Sequence, residues 1–259
     1  VTFRFYLGTH MPNWMADERF ADVPLFVSRR RLEERKTLPR AVGDWALDSG
    51  GFTELSLNGA WLLSPKAYVA FVRRARDEIG RLSWAAPQDW MCEPVILEKT
   101  GRTVEQHVAL TVQNLLDLRA LDPSLPIAPV VQGWTYADYM RCVEAYDRAG
   151  IDLSREPVVG VGTMCRRQET HEAERVLRAL RRMDIRLHAF GAKTVGLQRY
   201  HDALASSDSM SWSYRARRAD PLLGCSHASC SNCPLFALRW RENVLRRMEQ
   251  PHQLDLVGT

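Results

Sequence analysis

Trp45-Ala46-Leu47-Asp48-Ser49-Gly50-Gly51-Phe52 is a short apolar run that stops in a carboxylate, a hydroxyl and two glycines. The apolar part reads as a strand, and glycines beside an acid let backbone and ligand approach closely. Working outward, the same grammar repeats. Apolar runs at residues 3–7, 24–27, 45–47, 83–86, 127–131, 158–161, 186–190 and 205–208 make eight candidate strands. Helical patterns separate most of them. Ser64-Pro65 opens a helix whose Val69, Val72, Ala75 and Ile79 recur at helical spacing. Thr103 and Gln106 form a capping-box pattern around Val104, Val108, Val112 and Leu115. A helix from Thr135 ends at Gly150, and residues 168–183 and 194–204 complete the series. Strands alternating with crossover helices predict an α/β protein, a (β/α)8 barrel of the TIM type. A doubly wound open sheet is the rival, weakened because no Gly-x-Gly-x-x-Gly follows the first strand. The barrel is expected over residues 1–210, with residues 211–259 as an appended segment and final helix.

Composition fits. The 259 residues match a fold that typically needs about 250. Apolar residues at 46% and charged residues at 25% describe an ordinary soluble chain. No apolar run is long enough for a membrane helix, and Val1 to Gly8 lack the pattern of a secretory leader. The expected location is the cytoplasm, with no membrane partner. The formal net charge of +4 permits a nucleic-acid partner without requiring one.

In a barrel, chemistry gathers where strands end. The third strand ends in Asp48 to Phe52, the fourth in Gln88-Asp89, and the fifth in Gln132-Gly133. The sixth runs through Gly160 and Gly162, the seventh ends in Phe190-Gly191, and the eighth in Asp208. Such a set suits a guanine-like edge. Asp89 could accept from two adjacent donors, and Gln132 or Gly160 could satisfy a carbonyl. Phe52 and Phe190 could sandwich the ring. Asp48 and Asp208 would then divide attack at the anomeric carbon from proton transfer. Each residue alone has an ordinary structural reading as a turn, cap or core residue; the combination is what carries the signal. Phe190-Gly191-Ala192-Lys193-Thr194 fails as a phosphate loop, because alanine stands where glycine must precede the lysine.

Cys225, His227, Cys230 and Cys233 place four ligands within nine residues. Thiolates with imidazole suit tetrahedral Zn2+, and four protein ligands leave no open position, so a structural zinc is expected. His252 is a rival fourth ligand, and an iron–sulfur cluster is a lesser alternative. Cys92, Cys142 and Cys165 read as ordinary buried thiols. Trp212, Tyr214, Arg215, Arg217 and Arg218 combine aromatic faces with cations close to Asp208, the mixture that nucleic-acid contact requires.

From about Trp45 to Arg247 the chain resembles the tRNA-guanine transglycosylase superfamily, barrel enzymes that exchange guanine in a nucleic acid for a 7-deazaguanine. Asp48-Ser49-Gly50-Gly51-Phe52 is similar to the family's Asp-Ser-Gly-Gly-Phe/Tyr, and Val131-Gln132-Gly133 to its Val-Gln-Gly. The resemblance implies that Asp208 is the nucleophile, Asp48 the general acid/base and Asp89 the base reader. It further implies that Ser49, Phe52, Gln132, Gly160, Gly162 and Phe190 bind the base. The Cys225-x-His227-x2-Cys230-x2-Cys233 spacing and the residues after Asp208 depart from the tRNA enzymes. They look more like the phage and bacterial branch that modifies DNA, the DpdA-type proteins. The implied partners are DNA, with tRNA as the alternative, and a 7-deazaguanine base such as preQ0; a homodimer is possible by family habit. A zinc-stabilised nucleic-acid binder without catalysis and a hydrolytic glycosidase are the competing readings.

Overall fold

Strands of a parallel sheet are covered on both faces, so their sequences are apolar throughout rather than alternating. All eight expected strands form in the computed structural model, which describes residues 3–164, 170–192 and 194–249, and the last of them, residues 206–209, is buried although it is polar. They are β1 (Arg4–Thr9), β2 (Leu25–Ser28), β3 (Trp45–Asp48), β4 (Leu82–Ala85), β5 (Val130–Val131), β6 (Val159–Val161), β7 (Leu187–Ala189) and β8 (Ser206–Ser209). Every pairing is parallel, in the order β4-β3-β2-β1-β8-β7-β6-β5. The two edges join through a bridge between Ala85 and Ile127. Ala85 N–H donates to Pro126 O at 2.9 Å, and Ala128 N–H donates to Ala85 O at 3.0 Å. The sheet therefore closes into a barrel.

Alternation along each strand sorts the core into two shells. Phe5, Leu7, Leu25, Val27, Trp45, Leu47 and Ala85 point outward into the main cluster beneath the helices. Tyr6, Phe26, Ala46, Trp84 and Ala128 point inward and plug the barrel, with Phe190 packed on them. The next inward position on most of these strands lies one layer higher: Gly8, Ser28, Asp48, Ala86 and Asp208. The aromatic plug is thus the floor of a site, and strand parity decides which residues stand on it.

The helices are α1 (Gly51–Asn58), α2 (Pro65–Ile79), α3 (Pro94–Thr100), α4 (Val104–Leu121), α5 (Tyr136–Arg148), α6 (His171–Arg182), α7 (Thr194–Tyr200), α8 (Ser211–Ala216) and α9 (Pro234–Glu249). Ser64 caps α2 and a full capping box opens α4, as the sequence predicts, and a second box, Thr135 with Asp138, opens α5. The helix from Thr135 stops two residues short of Gly150, which takes φ +78°. Short 3-10 turns at Pro12–Ala16, Glu18–Phe20 and Arg29–Arg31 replace helices after β1 and β2. α9 packs against β1, α7 and α8, with Ala237, Trp240, Val244 and Met248 buried along one face. No described helix is long and apolar enough to cross a membrane.

Candidate active site and metal cluster

Asp48 ends β3 and points inward. Gly50 follows at φ +79°, and a Cβ there would strike the Arg30 side chain at 2.9 Å, so this turn requires glycine. Burial pushes the Asp48 carboxyl above its ordinary range, and the charge of Asp208 pushes the same way. Hydrogen bonds from Gly50 N–H and the Ser28 hydroxyl, together with the Arg29 charge, oppose the shift without cancelling it. Arg29 anchors the turn from behind. Its Nε donates to Ser49 O at 3.0 Å, its Nη2 to Glu54 Oε1 at 2.7 Å, and its Nη1 pairs with Glu33.

Asp208 stands on β8. Its Oδ1 accepts from Gly191 N–H at 2.9 Å and faces His188 Nε2 at 3.3 Å. Gly191 takes φ +63°, which turns its N–H toward the acid. The other nitrogen of His188, Nδ1, lies 2.9 Å from Ser206 Oγ. Sequence reasoning missed His188 and Arg29. Strand parity was the available signal for the first, since His188 and Phe190 share the inward face of β7. Arg29 sits in a run of three arginines and had none.

Asp89 follows β4. Its Oδ2 accepts from Gln132 Nε2 at 2.5 Å, and Gln132 Oε1 accepts from Thr163 Oγ1 at 2.7 Å. Thr163 holds φ +57°, a conformation rare for a β-branched residue, and its Oγ1 also accepts from Cys92 N–H at 2.9 Å. Gly162 makes room for this chain, because a Cβ there would lie 2.1–2.6 Å from the Gln132 amide. Burial pushes the Asp89 carboxyl up to about 7 against the opposing bond from Gln132, with Asp48 and Glu93 adding to the rise.

Asp48, Ser49, Phe52, Asp89, Gly162, Phe190 and Asp208 line one cavity of about 280 Å3. This volume suits one flat heterocycle better than an extended ligand, being near the lower limit of about 300 Å3 for small-molecule sites. Two expected base contacts are elsewhere. Gln132 is wholly buried under Asp89, with both ends of its amide occupied. Gly160 lies below the floor, where a Cβ would meet the Phe190 ring at 2.6 Å. Glu93, Thr163, Met91 and Met210 line the cavity although the sequence did not single them out.

Beyond the rim, Tyr214 is exposed, with the Arg218 guanidinium 3.5 Å from its ring centroid. Arg215 and Arg217 are exposed beside it. The expectation that Trp212 contacts nucleic acid is corrected. Its indole N–H donates to Gly8 O at 2.7 Å, and its ring stacks on His10 and Trp14 at 5.6 and 5.1 Å. Wholly buried, it offers no free face to a base.

Donor atoms of Cys225, His227, Cys230 and Cys233 all lie within 4.8 Å of one another. The closest approaches are 3.1 Å from His227 Nε2 to Cys230 Sγ and 4.0 Å between the sulfurs of Cys225 and Cys233. Ligands at the usual zinc distances in a tetrahedron would be spaced about 3.5–3.8 Å apart, so the cluster fits a metal of that geometry. The segment is tied down on two sides. Ser213 Oγ donates to Ser231 O at 3.0 Å, and His10 Nε2 meets Asn232 Oδ1 at 2.7 Å. His252 and Cys165 lie outside the described residues. Cys92 and Cys142 are buried, and burial pushes both thiols up, Cys142 to about 12.

No curated protein matches the chain. The family model described as DpdA, deoxypurine in DNA protein A, matches residues 1–259. Since that match covers the full sequence given, the protein belongs to the DpdA family of transglycosylase-type enzymes of DNA modification.

Proposed function

We propose that this protein replaces guanine in DNA with a 7-deazaguanine of the preQ0 type through a covalent aspartyl-glycosyl intermediate. The carrying observation is that Asp48 and Asp208, from β3 and β8, line the same small cavity as Asp89. Asp208 attacks C1′, the bond from C1′ to N9 of guanine breaks, and the sugar is held as an ester. Asp48, whose proton affinity burial raises, gives its proton to the departing base. The incoming deazaguanine returns a proton from its N9 to Asp48 as N9 attacks C1′ and releases the Asp208 carboxylate. Two displacements retain the sugar configuration. Asp89 reads the two adjacent donors of the guanine edge, and Phe52 and Phe190 flank the ring. Gln132 acts on the base through Asp89 rather than by contact, Gly160 acts through the seat of Phe190, and Gly162 both lines the cavity and makes room for the Gln132 amide.

DNA is preferred over tRNA because of the family, and Tyr214, Arg215, Arg217 and Arg218 offer exposed stacking and phosphate contacts that suit a nucleic acid. Cys225, His227, Cys230 and Cys233 would hold a structural Zn2+, which supplies rigidity to the segment after the barrel and no chemistry.

The test is mass spectrometry of nucleosides from DNA and tRNA of cells carrying wild type or Asp208→Ala. A deazaguanine deoxynucleoside should appear in DNA and vanish with the variant. Its appearance only in tRNA would reverse the choice of substrate. Radiolabelled guanine with duplex DNA separates exchange from base loss and from mere binding.

A further inference from the structure

We infer that His188 is a positioning residue for Asp208, and that Ser206 holds His188 in the tautomer this task needs. The inference rests on the reading of Asp208 as nucleophile. Ser206 and Asp208 alternate on β8 and share its inward face, while His188 lies opposite Ser206 in the β7–β8 register. The imidazole therefore sits directly beneath the carboxylate. An ionised carboxylate only accepts, so the single N–H of a neutral imidazole must be on Nε2, facing Asp208 Oδ1 at 3.3 Å. Nδ1 is then an acceptor, and the Ser206 hydroxyl at 2.9 Å is the donor it needs. With Gly191 N–H also on Oδ1, both donors meet the same oxygen, which leaves Oδ2 for the cavity.

Among the described residues, Ser206 and Asp208 are the polar partners of the His188 ring. Its ring is fully buried among Trp84, Phe190, Phe26 and Tyr6, at centroid distances of 4.7, 4.9, 5.6 and 5.8 Å. The one indole N–H in this cage donates to the Tyr6 hydroxyl. A histidine serving only the core would need Ser206 but not an aim at Asp208. The 3.3 Å separation is at the long end for a hydrogen bond, as resting catalytic contacts commonly are.

Guanine exchange into DNA is measured for His188→Phe, His188→Gln, Ser206→Ala and the Gln/Ala double variant, with Asp208→Asn alongside. Phenylalanine keeps a ring in the cage and removes the donor. Its kcat should fall about 10- to 100-fold, as losses of supporting shells do, with KM for the free base within about threefold of wild type. Glutamine restores an N–H near the Nε2 position and should recover most of the loss. Ser206→Ala should lower kcat in the wild-type background but not beside glutamine, which has no tautomer to fix. Wild-type kcat in His188→Phe, or equal effects of Ser206→Ala in both backgrounds, would overturn the inference. Should the phenylalanine variant fail to fold, the glutamine and alanine variants decide the matter through that cycle. Exchange surviving in Asp208→Asn would sink the nucleophile reading and this inference together. A dead Asp208→Asn with an unaffected His188→Phe would sink this inference alone.

Discussion

Gln132 donates to Asp89 Oδ2 at 2.5 Å from a wholly buried position, and its own carbonyl is taken by Thr163. Burial therefore keeps the amide from a ligand, and it instead sets the charge of the acid above it. Asp89 can accept two donors from a base only when ionised, and burial has pushed it up to about 7. KM for guanine should fall as pH rises through about 7 and level off above. Replacing Gln132 by leucine removes a bond that favours the charged form, so the midpoint should move to higher pH. Measuring KM against pH for both proteins checks this, and identical midpoints would refute it.

The same shift has a consequence for stability. The folded-state value of Asp89 lies above the ordinary 3.8, so the folded chain binds this proton more tightly than the unfolded chain does. Its contribution is fully present below about pH 4 and is lost as pH rises to about 7. An asparagine in its place would mimic the neutral acid and remove that dependence. Asp89→Asn should match wild type in urea near pH 4 and exceed it by about 4 kcal/mol at pH 8, the linkage equivalent of a rise from 3.8 to about 7, while losing exchange. A difference that does not change with pH would show that the shift is not real.

These carboxylates are legible in the sequence because a parallel barrel writes its site at strand ends, and short apolar runs mark those ends clearly. What cannot be read is which layer a residue occupies. Gln132 and Gly160 carry the right chemistry but lie beneath the cavity, since position along a strand and distance from its mouth are set by barrel stagger. Trp212 misleads for a different reason. Three arginines follow it closely, and only the packing of Trp14 and His10 reveals that its ring faces inward. Strand parity turns His188 inward with Phe190, but only the pairing of β7 with β8 sets it under Asp208.

Arg29 is the buried support of the Asp48 turn, bonded to Ser49 O and paired with Glu54 and Glu33. Arg29→Met leaves the Glu54 carboxylate buried with the longer contact from Arg30 at 3.4 Å and a neutral donor, Asn58 Nδ2, at 3.0 Å. Removing one partner of such a pair costs about 3–5 kcal/mol. Adding Glu54→Gln should return a substantial part of that loss, because the stranded charge goes with it. Urea unfolding of the single and double variants measures both; additive losses would contradict the pairing.

Metal content offers a direct check on the cluster. The purified protein should carry about one zinc per chain, by analogy with closed four-ligand sites. Cys230→Ser should lose it, while Cys142→Ser, altering a thiol far from the cluster in sequence, should retain it. Chelation should loosen the segment joining α8 to α9, since Ser213 and His10 grip it at Ser231 and Asn232. Hydrogen exchange there should rise ahead of the barrel strands. Full zinc occupancy in Cys230→Ser would remove that residue from the ligand set.

Arg217 and Trp212 lie five residues apart and should respond in opposite ways. Arg217 is exposed and Trp212 is not. If Arg217 meets a phosphate, its alanine variant should bind all DNA sequences more weakly and lower the salt slope of binding by about 1. Its stability and its KM for the free base should not change. Trp212→Phe should leave the salt slope alone and instead destabilise the fold by about 1–3 kcal/mol, because the Gly8 carbonyl loses its buried donor. Titrating DNA at several salt concentrations, beside thermal unfolding of both variants, separates the two roles. A salt slope altered by Trp212→Phe at unchanged stability would restore that ring to the DNA surface.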